Sequence, residues 1–240
     1  MPHTRTSSHA DAEARRSPPA TEAIEDYAKT IYALGRQGSE PVTTSALAER
    51  LGVAPSSVTA MLKRLAESDL VTYEPYRGAS LTAAGRQVAL EVMRHHRLIE
   101  AFLAETLGMS WDRVHEEAEV LEHHISEELE ALIAAKLGDP ATDPHGDPIP
   151  TADLDLGVDT TAPLTELRVG EGGTLSRVSD SDPEMLRYLD ERGIRPGALL
   201  RVLEAQPFGG ALVVEAAGET HAIGRELAGK MRIETQGPGP

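Results

Sequence analysis

The sequence predicts a mainly α chain with a small β domain at its C-terminal end. Three observations carry this. Most of residues 21–137 repeat apolar side chains every three or four positions, the spacing of helices packed through one face. Residues 139–163 (DPATDPHGDPIPTADLDLGVDTTAP) are rich in Pro, Asp and Gly and read as a linker or structured loop. Beyond them TLSRV, ALLRVLEA, ALVVEA and THAIG are short strand-like runs, three of them separated by the turns PFGG and AAGE.

Composition excludes several chemistries. The 240 residues include no cysteine, which removes disulfides, thiolate zinc sites, iron–sulfur clusters and a cysteine nucleophile. There is no run of 18 apolar residues for a membrane span and no apolar core of a signal peptide, so a cytoplasmic location is expected. Aromatics at 3% argue against a surface that stacks single-stranded bases. The net charge of −16 is unevenly spread: zero over 1–90, −13 over 91–163 and −3 over 164–240. The acidic middle also holds His95, His96, His115, His123, His124 and His145. Carboxylates and imidazoles at that density suggest divalent cations.

In chain order, residues 1–20 read as a disordered arm. A helix over 21–35 is expected with Thr21 as N-cap and Ile24, Tyr27, Ile31, Tyr32 and Leu34 on one side, ended by Gly35 and Gly38. Two short helices follow within 43–67. Thr43 or Thr44 caps the first and Gly52 stops it, while Ala54-Pro55-Ser56 opens the second, with Val58, Met61, Leu62 and Leu65 inward. This is a helix-turn-helix pattern. LVTYEPYRGASLT then reads as a β-hairpin, a wing directly after the second helix. Thr82 caps a long helix to about Leu107, Ser110 another over 111–124, and Ser126 a third to about Leu137. Leu129, Leu132, Ile133 and Leu137 on that last helix fit an interface or a core equally. PEMLRYLDERG is a helix among the C-terminal strands, which together suggest an SH3-like β-barrel. The expected domains are thus a winged helix-turn-helix over 21–90, a helical metal-binding and dimerisation domain over 91–150, a linker at 151–163 and the SH3-like domain over 164–240.

The second short helix leaves Ser56, Ser57, Thr59, Ala60, Lys63 and Arg64 outside its apolar stripe. Short hydroxyls, a small residue and two cations suit a helix lying in a major groove. Arg77 at the wing tip is placed for a minor groove or a phosphate, and Thr44 and Ser45 offer hydroxyls and amides to phosphate. The plain alternative is a helix pair that only packs. The near-neutral charge of this region limits nonspecific affinity, so tight binding should need two copies or an effector.

In WDRVHEEAEVLEHH, Glu119, Glu122 and His123 fall at i, i+3 and i+4 and share one helix face. Two carboxylates and an imidazole aimed at one point repel without a cation. His115 lies one turn before Glu119, and His96 and Glu100 form another i, i+4 pair on the preceding helix. Antiparallel packing lets these faces meet. Oxygen and nitrogen donors without sulfur favour Mn²⁺ or Fe²⁺ over Cu(I), leaving Zn²⁺ and Co²⁺ open. The alternative is a solvated acidic face with surface histidines. His124, His95 and Glu117 are read as structural or exposed, and His145 as a turn residue rather than a ligand.

EDYAKTIYAL, LGVAPSSVTAMLKRL, YEPYRGASLTAAGR, MRHHRLIEAFL, VHEEAEVLEHHISEEL and HGDPIP cover nearly all of 22–150 in that order. Through them the chain resembles the metal-dependent repressors of the diphtheria-toxin-repressor family, and within it the manganese transport regulator branch. RVSDSDPEMLRYLDERGIRPG and PFGG resemble the family's SH3-like (FeoA-type) module. The resemblance implies two metal sites. The one coupled to DNA binding would use Asp26, Glu119, Glu122 and His123. The iron-regulating branch has a methionine in place of Asp26 and a cysteine in place of Glu119, so the carboxylates here form the harder set expected for Mn²⁺. The ancillary site would use His96, Glu100 and His115, completed by Asp180, with Asp182 the second choice. Short manganese regulators have an acidic ligand where this chain has Lys29. A cation there disfavours a closely spaced binuclear centre and supports two separated sites.

The function expected is a homodimeric, Mn²⁺-activated repressor of metal-uptake genes that binds a palindromic duplex operator and needs no membrane or small-molecule substrate. One cation held by Asp26, Glu119, Glu122 and His123 would tie the reading head to the dimer scaffold. An Fe²⁺-dependent repressor of iron uptake is the alternative within the class. A metal-dependent hydrolase is the alternative outside it, but no separate nucleophile or phosphate loop is present and the winged helix would go unused. A metal-storage protein that does not bind DNA is the third reading.

Overall fold

The computed structural model describes residues 22–36, 38 and 41–235; the arm at 1–20 and the cap expected at Thr21 lie outside them. The chain divides into two compact units at Val92/Met93.

In the first unit, α1 (Glu22–Arg36) buries Ile24, Tyr27, Ala28 and Ile31, which recur at helical spacing. Thr43 begins α2 (Thr44–Leu51) by accepting from the Ala46 amide at 3.2 Å, and Gly52 closes it. Pro55 opens α3 (Pro55–Glu67), where its missing N–H costs nothing. The apolar stripe of α3 is Val58, Leu62 and Leu65. These side chains meet Leu47, Val42, Val71 and Ala79 in one core. The wing is the antiparallel pair β1 (Val71–Glu74) and β2 (Gly78–Leu81). Gly78 has φ +124°, and a Cβ there would lie 2.4 Å from the Val42 carbonyl. Only glycine permits this close approach, which lets Val42 and Ala79 exchange backbone hydrogen bonds at 2.8 and 2.9 Å. The architecture is a winged helix-turn-helix. Thr82 opens α4 (Ala83–Leu107), its hydroxyl accepting from the Gly85 amide at 3.1 Å.

The second unit takes α4 from Met93 onward, α5 (Val114–Leu121) and α6 (Glu127–Leu137). α5 is shorter than the 111–124 expected, and Ser110 is not its N-cap. Residues 111–113 form a turn because Trp111, 2% exposed, is drawn into the core of the C-terminal sheet. The helix then starts where Val114 and Ala118 pack on Ile99 and Leu103. It ends at Leu121, leaving Glu122, His123 and His124 in a turn. On α6, Ile133 packs with Leu98 and Ile149, and Leu137 joins them, whereas Leu129 and Leu132 stay exposed.

The C-terminal elements are β3 (Ala162–Pro163), β4 (Gly172–Val178), α7 (Pro183–Asp190), β5 (Leu199–Ala205), β6 (Leu212–Ala216), β7 (Glu219–Ile223), α8 (Arg225–Lys230) and β8 (Met231–Thr235). They form a six-stranded antiparallel sheet in the order β3-β8-β4-β5-β6-β7. The sequence reading lacked β8, whose short run MRIET becomes a strand by pairing with both β3 and β4. Inward residues Leu175, Val202, Val214 and Ile233 pack with Leu186 and Leu189 of α7.

The Pro/Asp/Gly-rich loop is tied to this sheet. The Asp143 side chain accepts from the amides of His145 and Asp147 at 2.8 and 2.9 Å, folding the loop on itself. The Val178 amide donates to the His145 carbonyl at 2.9 Å. Asp147 accepts from Arg177 of β4 at 2.9 Å. Gly146 sits at φ +87° with the position of a Cβ only 1.9 Å from the Ser176 carbonyl. Replacing Gly146 with Ala therefore forces loop and strand apart. The expected loss is ~1–3 kcal/mol from backbone strain alone, read as a lower midpoint in urea unfolding, with a Gly210→Ala control to calibrate substitution at a side-chain-lined turn.

Candidate metal centre and nucleic-acid interface

In the second unit, α4 carries His96 and Glu100 one turn apart, and α5 carries His115 opposite them. The turn after β4 brings Asp180 alongside. His96 Nε2 lies 3.0 Å from Glu100 Oε1 and 3.1 Å from His115 Nδ1. His115 Nδ1 in turn lies 3.3 Å from Glu100 Oε1 and 3.1 Å from Asp180 Oδ2. One donor atom from each of these four residues falls within 4.8 Å of the others. Asp182, the second choice, is engaged elsewhere: it caps α7, accepting from the amides of Glu184 and Met185.

The pocket floor holds a residue that the sequence reading set aside. His145 is fully buried, and its Nε2 donates to the Trp111 carbonyl at 2.6 Å. A carbonyl only accepts, so this contact places the proton on Nε2 and turns Nδ1 to the cluster. His145 Nδ1 faces Glu100 Oε2 at 3.7 Å, too far for a hydrogen bond, and both atoms are buried without a hydrogen-bond partner. Glu100, Asp143 and His145 form a second group of converging donors, fully buried or nearly so. His145 is therefore no mere turn residue. No local signal marked it: the contact that seats the loop, Gly146 against the Ser176 carbonyl, joins residues far apart in the chain.

Charge makes the same point. Burial alone would push the Glu100 carboxyl up, but the charge of His96 and the contacts with His115 and His145 hold it well below the usual range. Burial opposes protonation of His115, yet Asp180 and Glu100 raise it to about 10. Burial likewise opposes protonation of His145, and the facing Glu100 carboxylate lifts it to about 9. Asp143 is raised well above the carboxylate range by burial and by Glu100 and Asp147. Protons on imidazoles thus balance a buried carboxylate. The two partnerless donors and the all-oxygen, all-nitrogen set fit a divalent cation in their place.

The other predicted ligands are distributed as follows. Glu122, 1% exposed, directs Oε2 to His96 Nδ1 at 2.5 Å and Oε1 toward His123 Nε2 at 3.4 Å. Glu119 Oε1 lies 3.7 Å from His96 Nδ1 and 3.9 Å from His115 Nε2. Glu119 and Glu122 thus gather at His96, and the ligand sets expected to be separate are joined there through one hydrogen bond. Asp26 belongs to the first unit, partly buried on α1. Of the residues read as structural, His95 is buried and His124 exposed.

In the first unit, Thr44, Ser45, Thr59, Lys63 and Arg77 line a groove of about 640 Å³ between α2, α3 and the wing. The Thr59 hydroxyl donates to the Pro55 carbonyl at 3.0 Å, and Arg77 pairs with Glu74 at 3.1 Å, both near the surface. Ser56, Ser57, Ala60 and Arg64 are exposed on α3 outside the groove. The sequence reading missed Tyr73 and Tyr76, which also line it; Tyr76 is fully exposed at φ +69° on the wing tip.

Comparison with known proteins places these features. Residues 20–79 match the family model "Iron dependent repressor, N-terminal DNA binding domain", residues 82–151 "Iron dependent repressor, metal binding and dimerisation domain", and residues 162–235 "FeoA domain". The chain is 32% identical over 222 residues to the iron-dependent repressor IdeR of Mycobacterium leprae, covering 88% of this chain and 96% of that one. It is 31% identical over 220 residues to the diphtheria toxin repressor of Corynebacterium efficiens, covering 88% and 94%. A solved manganese-dependent transcriptional repressor in complex with manganese superposes with a TM-score of 0.84 at 42% identity, over 89% of this chain and all of that one. The structure of the manganese regulator SloR gives a TM-score of 0.73 at 33% identity, over 92% and 100%. The chain belongs to the iron-dependent (diphtheria toxin) repressor family of metal-dependent, DNA-binding transcriptional repressors.

Proposed function

We propose that this protein is a Mn²⁺-activated homodimeric repressor of metal-uptake genes, acting in the cytoplasm on a palindromic duplex operator. The observation that carries the reading is the hard donor set: with carboxylates at Asp26 and Glu119, no cysteine in the sequence and no methionine among the candidate ligands, every one of them offers oxygen or imidazole nitrogen. The likeness to a manganese-dependent repressor at 42% identity supports it. Asp26, Glu119, Glu122 and His123 would hold the cation that governs DNA binding. His96, Glu100, His115 and Asp180 would hold the second, with His145 beneath them. A bound cation supplies the positive charge that lets these carboxylates converge.

The chain's own groups do the rest. Thr44, Ser45, Lys63 and Arg77 present hydroxyls, amides and charge to the DNA backbone, while Ser56, Ser57, Thr59, Ala60 and Arg64 face base edges. The exposed Leu129 and Leu132 of α6 offer an apolar face for a second copy. Coupling between cation and DNA in the usual allosteric range, ~1–3 kcal/mol, corresponds to about 5- to 150-fold in affinity. Iron is the second reading, because curated relatives spanning nearly the whole chain are iron-dependent repressors.

Four measurements test this. Anaerobic band shifts on a palindromic duplex should tighten with Mn²⁺ more than with Fe²⁺ and return to baseline with chelator. Asp26→Ala or Glu122→Gln should abolish the stimulation while circular dichroism stays native; a stronger Fe²⁺ response reassigns the effector. Because His115 and His145 hold protons up to about pH 10 and 9, a cation must displace them. Calorimetry in buffers of different ionisation enthalpy should show proton release at pH 7.5 and affinity that falls as pH is lowered. Leu132→Asp should convert the dimer to monomer in sedimentation velocity, with the charge on the exposed apolar face costing the fold less than ~0.5 kcal/mol.

A further inference from the structure

His95 and His96 are consecutive on α4, and they grip the two ends of the same residue. His96 Nδ1 bonds the Glu122 carboxylate at 2.5 Å, and His95 Nδ1 donates to the Glu122 backbone carbonyl at 3.2 Å. The other face of His95 is turned to Glu130: its Nε2 lies 3.0 Å from Glu130 Oε2, an ion-pair distance without hydrogen-bond geometry, with Glu127 Oε1 further off at 4.0 Å. Glu130, 8% exposed on α6, gives its second oxygen to Arg94 Nε at 2.5 Å. Arg94 in turn donates through Nη1 to the Pro150 carbonyl at 2.7 Å. A buried chain of polar contacts thus runs from the loop at Pro150 through Arg94, Glu130 and His95 to the last turn of α5.

We infer that His95 is a positioning residue for the metal site that contains Glu122: it holds the Glu122 backbone in place so that the carboxylate reaches its partners. The need is local. Glu122 is the C-cap of α5: its amide still donates to the Ala118 carbonyl at 2.9 Å, but its own carbonyl is one of the groups a helix end leaves without an intrahelical partner. A donor aimed at that carbonyl fixes the residue. Glu130 completes the brace. Burial would raise its carboxyl, but the donors on His95 and Arg94 hold it below the usual range, so it stays an acceptor. Arrangements of this kind around metal ligands typically change affinity 10- to 100-fold when broken. His95 itself is not placed among the ligands proposed above.

The inference rests on the two-site reading and is tested on the full chain. Mn²⁺ binding is followed by electron paramagnetic resonance of the free ion and by calorimetry in wild type, His95→Gln, His95→Lys and Glu130→Gln. His95→Gln should weaken one of the two sites roughly 10- to 100-fold and leave the other unchanged. His95→Lys, whose ammonium can donate to the Glu122 carbonyl and to Glu130 at once, should restore most of the loss. Glu130→Gln keeps the size and should reproduce the His95→Gln defect, which carries the test if the latter does not fold. Two sites of wild-type affinity in both Gln variants overturn the inference. So does equal weakening of both sites together with a lower melting temperature, the mark of a merely structural role. A wild type that takes up no Mn²⁺ overturns the functional reading itself, and the positioning role falls with it.

Discussion

A carboxylate with no access to water organises the second unit. Glu100 is fully buried, and an ionised carboxylate in that position is tolerated only among hydrogen bonds and opposite charge. Three separate pieces of chain supply them: His96 from the same helix, His115 from α5 and His145 from the loop before the sheet. Each is held by a further group, His96 by Glu122, His115 by Asp180 and His145 by the Trp111 carbonyl. The packing of helices, loop and sheet within this unit can be read as the apparatus that delivers positive charge to one buried anion. Protons on imidazole and a divalent cation are two solutions to the same electrostatic problem, and exchange between them would make such a site responsive to metal.

The sheet domain contributes more than the Asp180 carboxylate. Trp111 leaves the helical segment to sit in the sheet core, where it stacks on His145 with ring centroids 5.9 Å apart. Arg195 lies over its ring at 5.0 Å, and Arg187 pairs with the neighbouring Asp112 at 3.0 Å. The turn that launches α5, and with it His115, is therefore positioned by the C-terminal fold. The Gly146 contact with Ser176 does the same for His145. A FeoA-type sheet joined to a helical metal domain acts here as part of the wall of the site.

Charge distribution separates the two tasks of the molecule. The net negative charge of 91–163 suits cation capture, and the balanced charge of 1–90 keeps the reading unit from adhering to any duplex by electrostatics alone. Lys63 and Arg77 are concentrated in the one groove between helices and wing, where a few cations have directional effect. A repressor built this way depends on correct presentation of a modest surface, which is the condition under which an effector has most leverage.

The sequence by itself determined α1 to α7 (but not α8), the wing, most of the sheet and the pairing of His96 with Glu100. These follow from local rules: apolar spacing, capping residues, turn chemistry and the i, i+4 geometry of a helix. Local spacing also put Glu119 and Glu122 on one face, but not what they would face, and the structure gathers both at His96. Only the tertiary structure decided that Trp111 would shorten α5 from its N-terminal side, that MRIET would become a strand between two others, and that His145 would be buried against Glu100. In each case the deciding contact joins residues far apart in the chain, and periodicity carries no information about a partner dozens of residues away. The positions of Asp180 and His95 have the same origin, since a carboxylate or an imidazole acquires its role from the groups that burial brings to it.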